Sequence, residues 1–278
     1  MQVAVVGHVE WTMFARVDRV PAAGDIAHAS ETWSGAGGGG GVAAIQLAKL
    51  AGACDLFNAF GEDDVGRRAT TELTAAGVRV HAATRREPSR QAVCLVDPTG
   101  ERTIITLGPR LEPRGADPLP WEILDDMDAV YVTAGDVGAI RHARAARVMV
   151  VSTRHLATLA ASGVRADAVV GSARDPRERY DRSALSHAPP DVVVLTEGSD
   201  GGRYETAAGE RGRYDPVPPP GPLVDTYGGG DSFQSGLTYA LGAGISIRDA
   251  LALAARCGAA AVTGRGPTGG QLTARELV

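Results

Sequence analysis

The stretch Asp225-Thr226-Tyr227-Gly228-Gly229-Gly230-Asp231, followed by Ser232-Phe233-Gln234-Ser235-Gly236-Leu237-Thr238-Tyr239-Ala240-Leu241, decides how this chain is read. Three consecutive glycines have no side chains to pack. They serve the backbone, allowing a sharp turn and bringing N–H groups close to another group. An apolar-periodic run follows at once, with Phe233, Leu237 and Leu241 at helical spacing and Ala240 between them, and predicts a helix start. At a helix N-terminus the unpaired N–H groups and the positive end of the dipole favour an anion. Asp231 stands at the same spot. A carboxylate there is badly placed to bind the anion and well placed to take a proton from whatever attacks it. A glycine hole beside an aspartate therefore predicts phosphoryl transfer to a hydroxyl. The alternative is an ordinary N-cap aspartate after a flexible turn.

Composition narrows the setting. The chain has 278 residues, enough for one large domain or a domain with a lid. Apolar residues make up 44% and charged residues 22%, as in ordinary globular proteins. The net charge of -5, with no basic tract, argues against a nucleic-acid or anionic-membrane partner. No apolar run approaches the ~20 residues that span a bilayer. Met1-Gln-Val-Ala-Val-Val-Gly7 has no basic segment and reads as a strand, not as a signal peptide. Cys54, Cys94 and Cys257 are widely spaced and form no CxxC, which predicts free, buried thiols in a reducing cytoplasm. No histidine pairs with a cysteine or a second histidine at metal-ligand spacing, so no transition-metal site is expected. The only lysine is Lys49, so cationic help must come mostly from arginine or a metal ion.

Along the chain, strand and helix patterns alternate. Strands are expected at 2–7, 53–60, 78–83, 128–133, 147–151, 167–170 and 191–196, and helices at 63–76, 137–145, 153–161, 176–185, 229–243 and 247–262. A helix through Ala51 follows the run Gly37–Gly41. Such alternation predicts an α/β fold, a mostly parallel central sheet with helices on both faces. Two pairs interrupt it: 12–18 with 25–33 across Pro21-Ala-Ala-Gly24, and 90–97 with 101–107 across Asp97-Pro-Thr-Gly100. They read as antiparallel ribbons in a small sheet over one edge. Short strands at 202–206 and 212–217 precede a stiff connector, Pro216–Pro222. Three chemistries lack their residues. There is no P-loop Gly-X-X-X-X-Gly-Lys-Ser/Thr and no Gly-X-Ser-X-Gly elbow. The run at Gly37–Gly41 follows no first βαβ strand, and no acidic residue ends the strand near Phe60, against dinucleotide binding.

Asp225-Thr-X-Gly-X-Gly-Asp231 with its helix resembles the second signature of the ribokinase/PfkB carbohydrate kinase family, and the resemblance covers nearly the whole chain. It implies a single ribokinase-like three-layer domain over 1–278, with a lid sheet from 10–36 and 88–107, used for dimerisation as well as cover. It implies Asp231 as catalytic base and Gly228, Gly229 and Gly230 as the anion hole. Gly37-Gly38-Gly39, before a helix ending Leu47-Ala-Lys-Leu-Ala-Gly52, resembles the first signature and would hold substrate hydroxyls. At the first strand-end, usually Gly-X-X-Asn-X-Asp, Glu10 and Thr12 fall at the Asn and Asp positions. Glu10 reads either as an acceptor for hydroxyl hydrogen bonds or as a solvated strand-end charge. Thr196-Glu-Gly198-Ser-Asp-Gly201 resembles the turn beside the ATP phosphates, with Gly230 and Gly258 bordering the nucleotide. Asp225, Tyr227 and Gly266 fall in the loop that holds a monovalent cation such as K⁺. Arg102, in Asp97-Pro-Thr-Gly-Glu-Arg102, reads as a lid-surface residue or as one that reaches phosphate across the cleft.

The implied activity is a cytoplasmic ATP- and Mg²⁺-dependent kinase acting on a sugar or nucleoside hydroxyl. The missing Asn-X-X-Glu and the altered Glu10 and Thr12 motivate a second reading, a weakly catalytic nucleotide- or sugar-binding regulator, and smaller departures accompany them. The middle glycine of the second signature, Gly229, is usually alanine, and Gly39 and Val42 stand where Asn or Lys is frequent. After the strand 167–170, Gly171-Ser-Ala-Arg174-Asp175 shows no match to the Asn-X-X-Glu that organises Mg²⁺ and phosphates, leaving Arg174 or Asp175 to supply charge.

Overall fold

Valine-rich runs too short and too apolar for surface helices form the middle of the molecule. In the computed structural model, which describes residues 1–277, the elements run β1 (Val3–Val6), β2 (Glu10–Arg16), β3 (Glu31–Gly37), α1 (Gly38–Ala51), β4 (Cys54–Gly61), α2 (Asp64–Ala75), β5 (Val78–Arg85), β6 (Gln91–Val96), β7 (Arg102–Leu107) and β8 (Ala129–Val132). They continue as α3 (Val137–Ala143), β9 (Val148–Ser152), α4 (Leu156–Ser162), β10 (Ala168–Ser172), β11 (Val192–Thr196), β12 (Gly202–Thr206), β13 (Arg211–Tyr214), α5 (Gly229–Gly242) and α6 (Ile247–Ala261).

The large sheet has the order β13-β12-β11-β10-β9-β8-β1-β4-β5. Neighbours from β5 to β11 are parallel, and only β12 and β13 run antiparallel. Both faces are covered. Val3 and Val5 join a core with residues of α1, α5 and α6, while Ala4 and Val6 join a second core with residues of α3 and α4. That two-sided burial is why β1 carries no polar residue. The strand order departs in opposite directions from β1, with β4 on one side and β8 on the other. Such a switch leaves a crevice at the carboxyl ends of the strands, where open α/β sheets bind ligands. Among the described residues no helix is long and apolar enough to cross a membrane.

A second sheet, β3-β2-β6-β7, grows from the end of β1. β2/β3 and β6/β7 are antiparallel ribbons, as expected, and a parallel β2/β6 pairing joins them into one sheet. Its inner face buries Thr12, Phe14, Ala92, Cys94 and Val96, whereas Met13, Ile105 and Leu107 stay exposed on the outer face.

Three local expectations need correction. The partner of β2 is 31–37 and not 25–33: Arg16 pairs with Glu31, and Ile26 lies 87% exposed in the connecting loop. The glycines are not a turn before a helix. Gly35–Gly37 end β3 and Gly38–Gly41 are the first turn of α1. Residues 176–185 form two short 3₁₀ turns, Pro176–Glu178 and Arg182–Leu185. There the Asp175 and Asp181 carboxylates accept from the N–H two residues on, Arg177 and Ser183, at 2.9 Å each. Those local bonds compete with a helix.

At Gly236, α5 touches α6 so closely that a Cβ would lie 2.8 Å from Cys257 Sγ and 3.0 Å from the Ala254 Cα. Gly236→Ala should therefore cost about 1–3 kcal/mol by overpacking. Urea unfolding measures it, and an unshifted midpoint would contradict the packing described.

Candidate active site

The crevice beside β1 is built by three chain segments. The first is the start of α1. The Gly40 N–H donates to the His8 carbonyl at 2.9 Å, and a Cβ on Gly40 would lie 2.6 Å from that oxygen. A Cβ on Gly39 would sit 2.7 Å from Thr133 Oγ1 and 3.0 Å from Asp231 Oδ1. The glycine run is thus set by close approach on several sides at once, which no sequence pattern announces.

The second segment is the start of α5. Gly228 is its N-cap, in the left-handed region at φ 78°, and no side chain caps the helix. Asp231 lies inside the first turn, so the ordinary N-cap alternative does not hold. A Cβ on Gly230 would meet nothing within 4 Å, so this turn borders open space. Two sets of buried hydrogen bonds fix the helix. The Tyr131 hydroxyl donates to Gln234 Oε1 at 2.8 Å. Gln271 Nε2 donates to the Val42 carbonyl and to Ser232 Oγ, at 2.9 and 3.2 Å.

The third segment is the end of β1 running into β2. Glu10 is 6% exposed, so its reading as a solvated charge is corrected. Its Oε1 accepts from the Tyr227 hydroxyl at 3.1 Å, and its Oε2 lies 3.2 Å from Arg90 Nε. The same hydroxyl accepts from the Gly38 N–H at 2.9 Å and lies 3.4 Å from Thr12 Oγ1. Gly37 is pressed on this cluster, a Cβ there falling 2.6 Å from both Thr12 Oγ1 and the Tyr227 hydroxyl. Glu10, Thr12, Gly37, Gly38, Gly39 and Asp231 are therefore brought to one crevice.

Charge around Asp231 is arranged with equal care. Its carboxyl is pushed up to about 6, first by burial and then by Glu178, against the opposing pull of Arg154 and Arg102. Arg102 thus acts electrostatically on the crevice while its Nη1 donates to Thr226 Oγ1 at 2.9 Å. Glu178, 9% exposed, accepts from the Ser172 N–H at 2.8 Å and from Arg154 Nε at 2.7 Å. This bears on the expectation that no match to Asn-X-X-Glu follows the strand 167–170. Counted from its own start, Asp175-Pro-Arg-Glu178 has the spacing of the sought motif with Asp for Asn. Asp175 also pairs with Arg154, at 2.8 Å, whereas Arg174 turns to Asp200. Sequence reasoning likewise missed Arg154, Arg90, Arg110 and Thr133. They sit just outside strand ends, where only the fold brings them inward.

Thr196 closes β11, and its hydroxyl lies 3.4 Å from the Gly171 carbonyl. Gly198 and Gly201 follow in the left-handed region at φ 64° and 76°. Gly258 sits where α6 meets the first turn of α5, a Cβ there lying 3.2 Å from the Gly229 carbonyl. Asp225 is fully buried. Its Oδ1 accepts from the Tyr227 N–H at 2.8 Å and its Oδ2 has no partner, while burial raises its carboxyl above the usual range. The orphan oxygen beside the glycine-rich chain through Gly266 suits a monovalent cation held otherwise by carbonyls. The Tyr227 side chain, in contrast, points to Glu10. Among the described residues no three His, Cys, Asp or Glu side chains converge as metal ligands.

Residues 1–274 match the pfkB family carbohydrate kinase domain. An ATP-dependent ribose-1-phosphate kinase of Halopiger xanaduensis is 28% identical, over 93% of this chain and 91% of that protein. A ribokinase of Bacillus subtilis is 24% identical, over 99% of this chain and 97% of that protein. The crystal structure of a ribokinase from Thermotoga maritima superposes with a TM-score of 0.80 at 18% identity, covering 100% of this chain and 98% of that one.

A ¹³C titration of the Asp231 carboxyl should show a midpoint near 6, moving down in Glu178→Gln because a neighbouring negative charge is removed. The folded value lies above the unfolded one, so Asp231 supports folding in acid and this support is lost as pH rises through about 6. Asp231→Asn should therefore raise Tm at pH 8 and leave it nearly unchanged at pH 4. Equal effects at both pH values would refute the burial described.

Proposed function

This chain belongs to the pfkB family of carbohydrate kinases, and on that premise we propose that it moves the γ-phosphoryl group of ATP to a hydroxyl of a sugar or nucleoside, with Asp231 as base. One observation carries the reading. A half-buried carboxylate, raised toward neutrality, stands in the first turn of a helix whose glycine N-terminus borders open space. The N–H groups at Gly228, Gly229 and Gly230 and the helix dipole would stabilise charge on the moving group. An acceptor hydroxyl reaching Asp231 from the open side at Gly230 would lose its proton to Asp231 as it attacks. Glu10, Thr12 and the backbone at Gly37 and Gly38 would orient the rest of the acceptor. The ribose-1-phosphate kinase and the ribokinase among its relatives put a pentose first among acceptors.

The nucleotide would lie along Thr196, Gly198 and Gly201, reaching Gly230 and passing Gly258. Mg²⁺ bound with those phosphates would supply charge neutralisation for the transferring group. Glu178 and Asp175, already engaged by Arg154, suit contact with that ion through water. A K⁺ ion would take the Asp225 oxygen and carbonyls of the loop through Gly266. The regulator reading drew on the missing Asn-X-X-Glu and on the altered Glu10 and Thr12, and Asp175-Pro-Arg-Glu178, whose Glu178 raises the Asp231 carboxyl, weakens the first of these motives.

We also propose that the small sheet acts as a lid and pairs two copies of the chain. Ile105 and Leu107, at 53% and 43% exposure, stand on the edge strand β7 and share its outer face with Met13 of β2, and such edges need cover.

Asp231→Asn should lower kcat by on the order of 10²–10⁴, the usual contribution of a positioned base. In the wild type kcat/KM should rise with pH through about 6, as the carboxyl loses its proton. ADP release from Mg-ATP with K⁺ and ribose, fructose or nucleosides as acceptors tests both. Turnover at the wild-type rate in the variant would sink the assignment. Ile105→Glu should convert a dimeric mass in light scattering to a monomeric one. A wild-type chain that is monomeric at all concentrations would remove the dimer.

A further inference from the structure

We propose that Arg154 is a second catalytic residue of the phosphotransfer, the free part of its guanidinium holding the γ-phosphate of ATP as it passes to the acceptor. This deepens the phosphotransfer reading and rests on it for where the nucleotide lies.

The sheet places Arg154 midway between the two substrates. The carboxyl ends of β11, β10, β9, β8 and β1 stand in a row. Thr196 ends β11 beside Ser172, Ser152 ends β9 beside Val170, and Val132 ends β8 between Val151 and Val6. Adjacent strands lie ~4.8 Å apart, which puts β9 roughly 10 Å from β11 and roughly 10 Å from β1. β11 leads into the turn assigned to the nucleotide, and β1 leads to Glu10 and Thr12. Arg154 is the second residue past β9. Asp231 joins this row at the end of β8, since a Cβ on Gly39 would lie 2.7 Å from Thr133 Oγ1 and 3.0 Å from Asp231 Oδ1. A phosphoryl group moving from the β11 end toward Asp231 passes the end of β9.

The guanidinium is fixed on one part and free on the other. Its Nε donates to Glu178 Oε1 at 2.7 Å and its Nη2 to Asp175 Oδ2 at 2.8 Å. Nη1 has no hydrogen-bond partner among the described residues, and the side chain is 41% exposed. Both carboxylates are held in turn, Glu178 by the Ser172 N–H at 2.8 Å and Asp175 by the Arg177 N–H at 2.9 Å. Gly171 permits the arrangement. A Cβ there would collide with the Thr153 side chain and lie 2.9 Å from the Glu178 carbonyl. A guanidinium oriented in advance loses little freedom on binding, and its remaining N–H donors match phosphate oxygens.

The surrounding charges agree with this placement. Glu178 pushes the Asp231 carboxyl up and Arg154 pulls it down, so the pair lies within electrostatic reach of the base. Asp175 and Glu178 outweigh the single charge of Arg154, and Mg²⁺ bound with the phosphates would offset the excess. Other cations are engaged elsewhere. Lys49 donates to the Thr268 carbonyl at 2.6 Å, Arg102 turns to Thr226, Arg90 to Glu10 and Arg174 to Asp200. On either side of Arg154 in the chain, Thr153 Oγ1 and both ring nitrogens of the buried His155 have no hydrogen-bond partner. Buried polar groups left unpaired in this way gather at functional sites.

Calorimetry of Mg-ATP and Mg-ADP without acceptor tests the contact and needs no turnover. The wild type should bind ATP about tenfold more tightly than ADP, the scale of a charge-assisted contact. That ratio should fall toward one in Arg154→Gln and persist in Arg67→Gln, an exposed arginine on α2. A merely structural Arg154 would weaken both nucleotides alike and leave the ratio. Should Arg154→Gln fail to fold because Glu178 is left unpaired, Arg154→Lys keeps the charge without the planar set of donors and should lose the ratio as well. In turnover, Arg154→Lys should lower kcat by on the order of 10² with the acceptor KM nearly unchanged. The inference is overturned if the wild type shows no preference for ATP, or if the preference survives in Arg154→Lys. An Arg154-dependent preference without ADP release on any acceptor would support the contact and count against the phosphotransfer reading.

Discussion

The site depends on one steric constraint, the absence of any side chain between the first turn of α1 and the end of β1. Gly40 meets the backbone of Gly7 and His8, Gly39 meets Thr133 and Asp231, and Gly37 meets Thr12 and Tyr227. Any Cβ at these points would push α1 away from the sheet. With the glycines, the helix start lies against the strand-end backbone, and the main-chain N–H groups of Gly38 and Gly40 can be used as donors. Everything else in the crevice is placed relative to that contact. Tyr227 reaches across from the chain before α5 to tie Glu10, Gly38 and Thr12 together. Gln271 then ties the starts of α1 and α5.

Electrostatics is the second layer. Acidic and basic side chains alternate through the crevice, so that Arg90 meets Glu10, Arg110 meets Glu112, and Arg154 meets both Asp175 and Glu178. Asp231 is left without a cation of its own, and its carboxyl rises toward neutrality. A base poised near the working pH combines a useful protonation state with useful driving force. The orphan Asp225 oxygen and the unpartnered His155 ring are part of the same cost, since buried polar groups left unpaired destabilise a fold and persist chiefly at functional sites.

How the two sheets are joined matters for both layers. Because β2 leaves directly from the end of β1, the small sheet inherits its position from the large one. The parallel β2/β6 pairing then sets Arg90, just before β6, beside Trp11 at the start of β2, while Arg102 opens β7 at the other end of the small sheet. One sheet thus supplies the inner wall of the crevice and the other much of its positive charge.

The local patterns carried much of this. Valine-rich runs marked the strands because a doubly covered sheet favours apolar residues on both faces, and period-two runs marked the ribbons, which cover one face only. The Asp225–Asp231 stretch marked its helix and its aspartate because three glycines before an apolar period have few other uses. Legibility failed where competing local bonds decided the outcome. The Asp175 and Asp181 side chains turned an expected helix into 3₁₀ turns, and the β3 register drew the glycine run into strand and helix. It failed also where partners are distant in the chain. Glu178 was overlooked beside Asp231, and the burial of Glu10 against Arg90 and Tyr227 could not be foreseen, because 217 positions separate Glu10 from the tyrosine that holds it. By itself the sequence determined the elements, the fold class and the aspartate at the glycine turn, all of which are local in origin. Only the tertiary structure decided which charges face one another, because Coulomb and hydrogen-bond energies depend on distance in space and on burial, and neither is written along the chain.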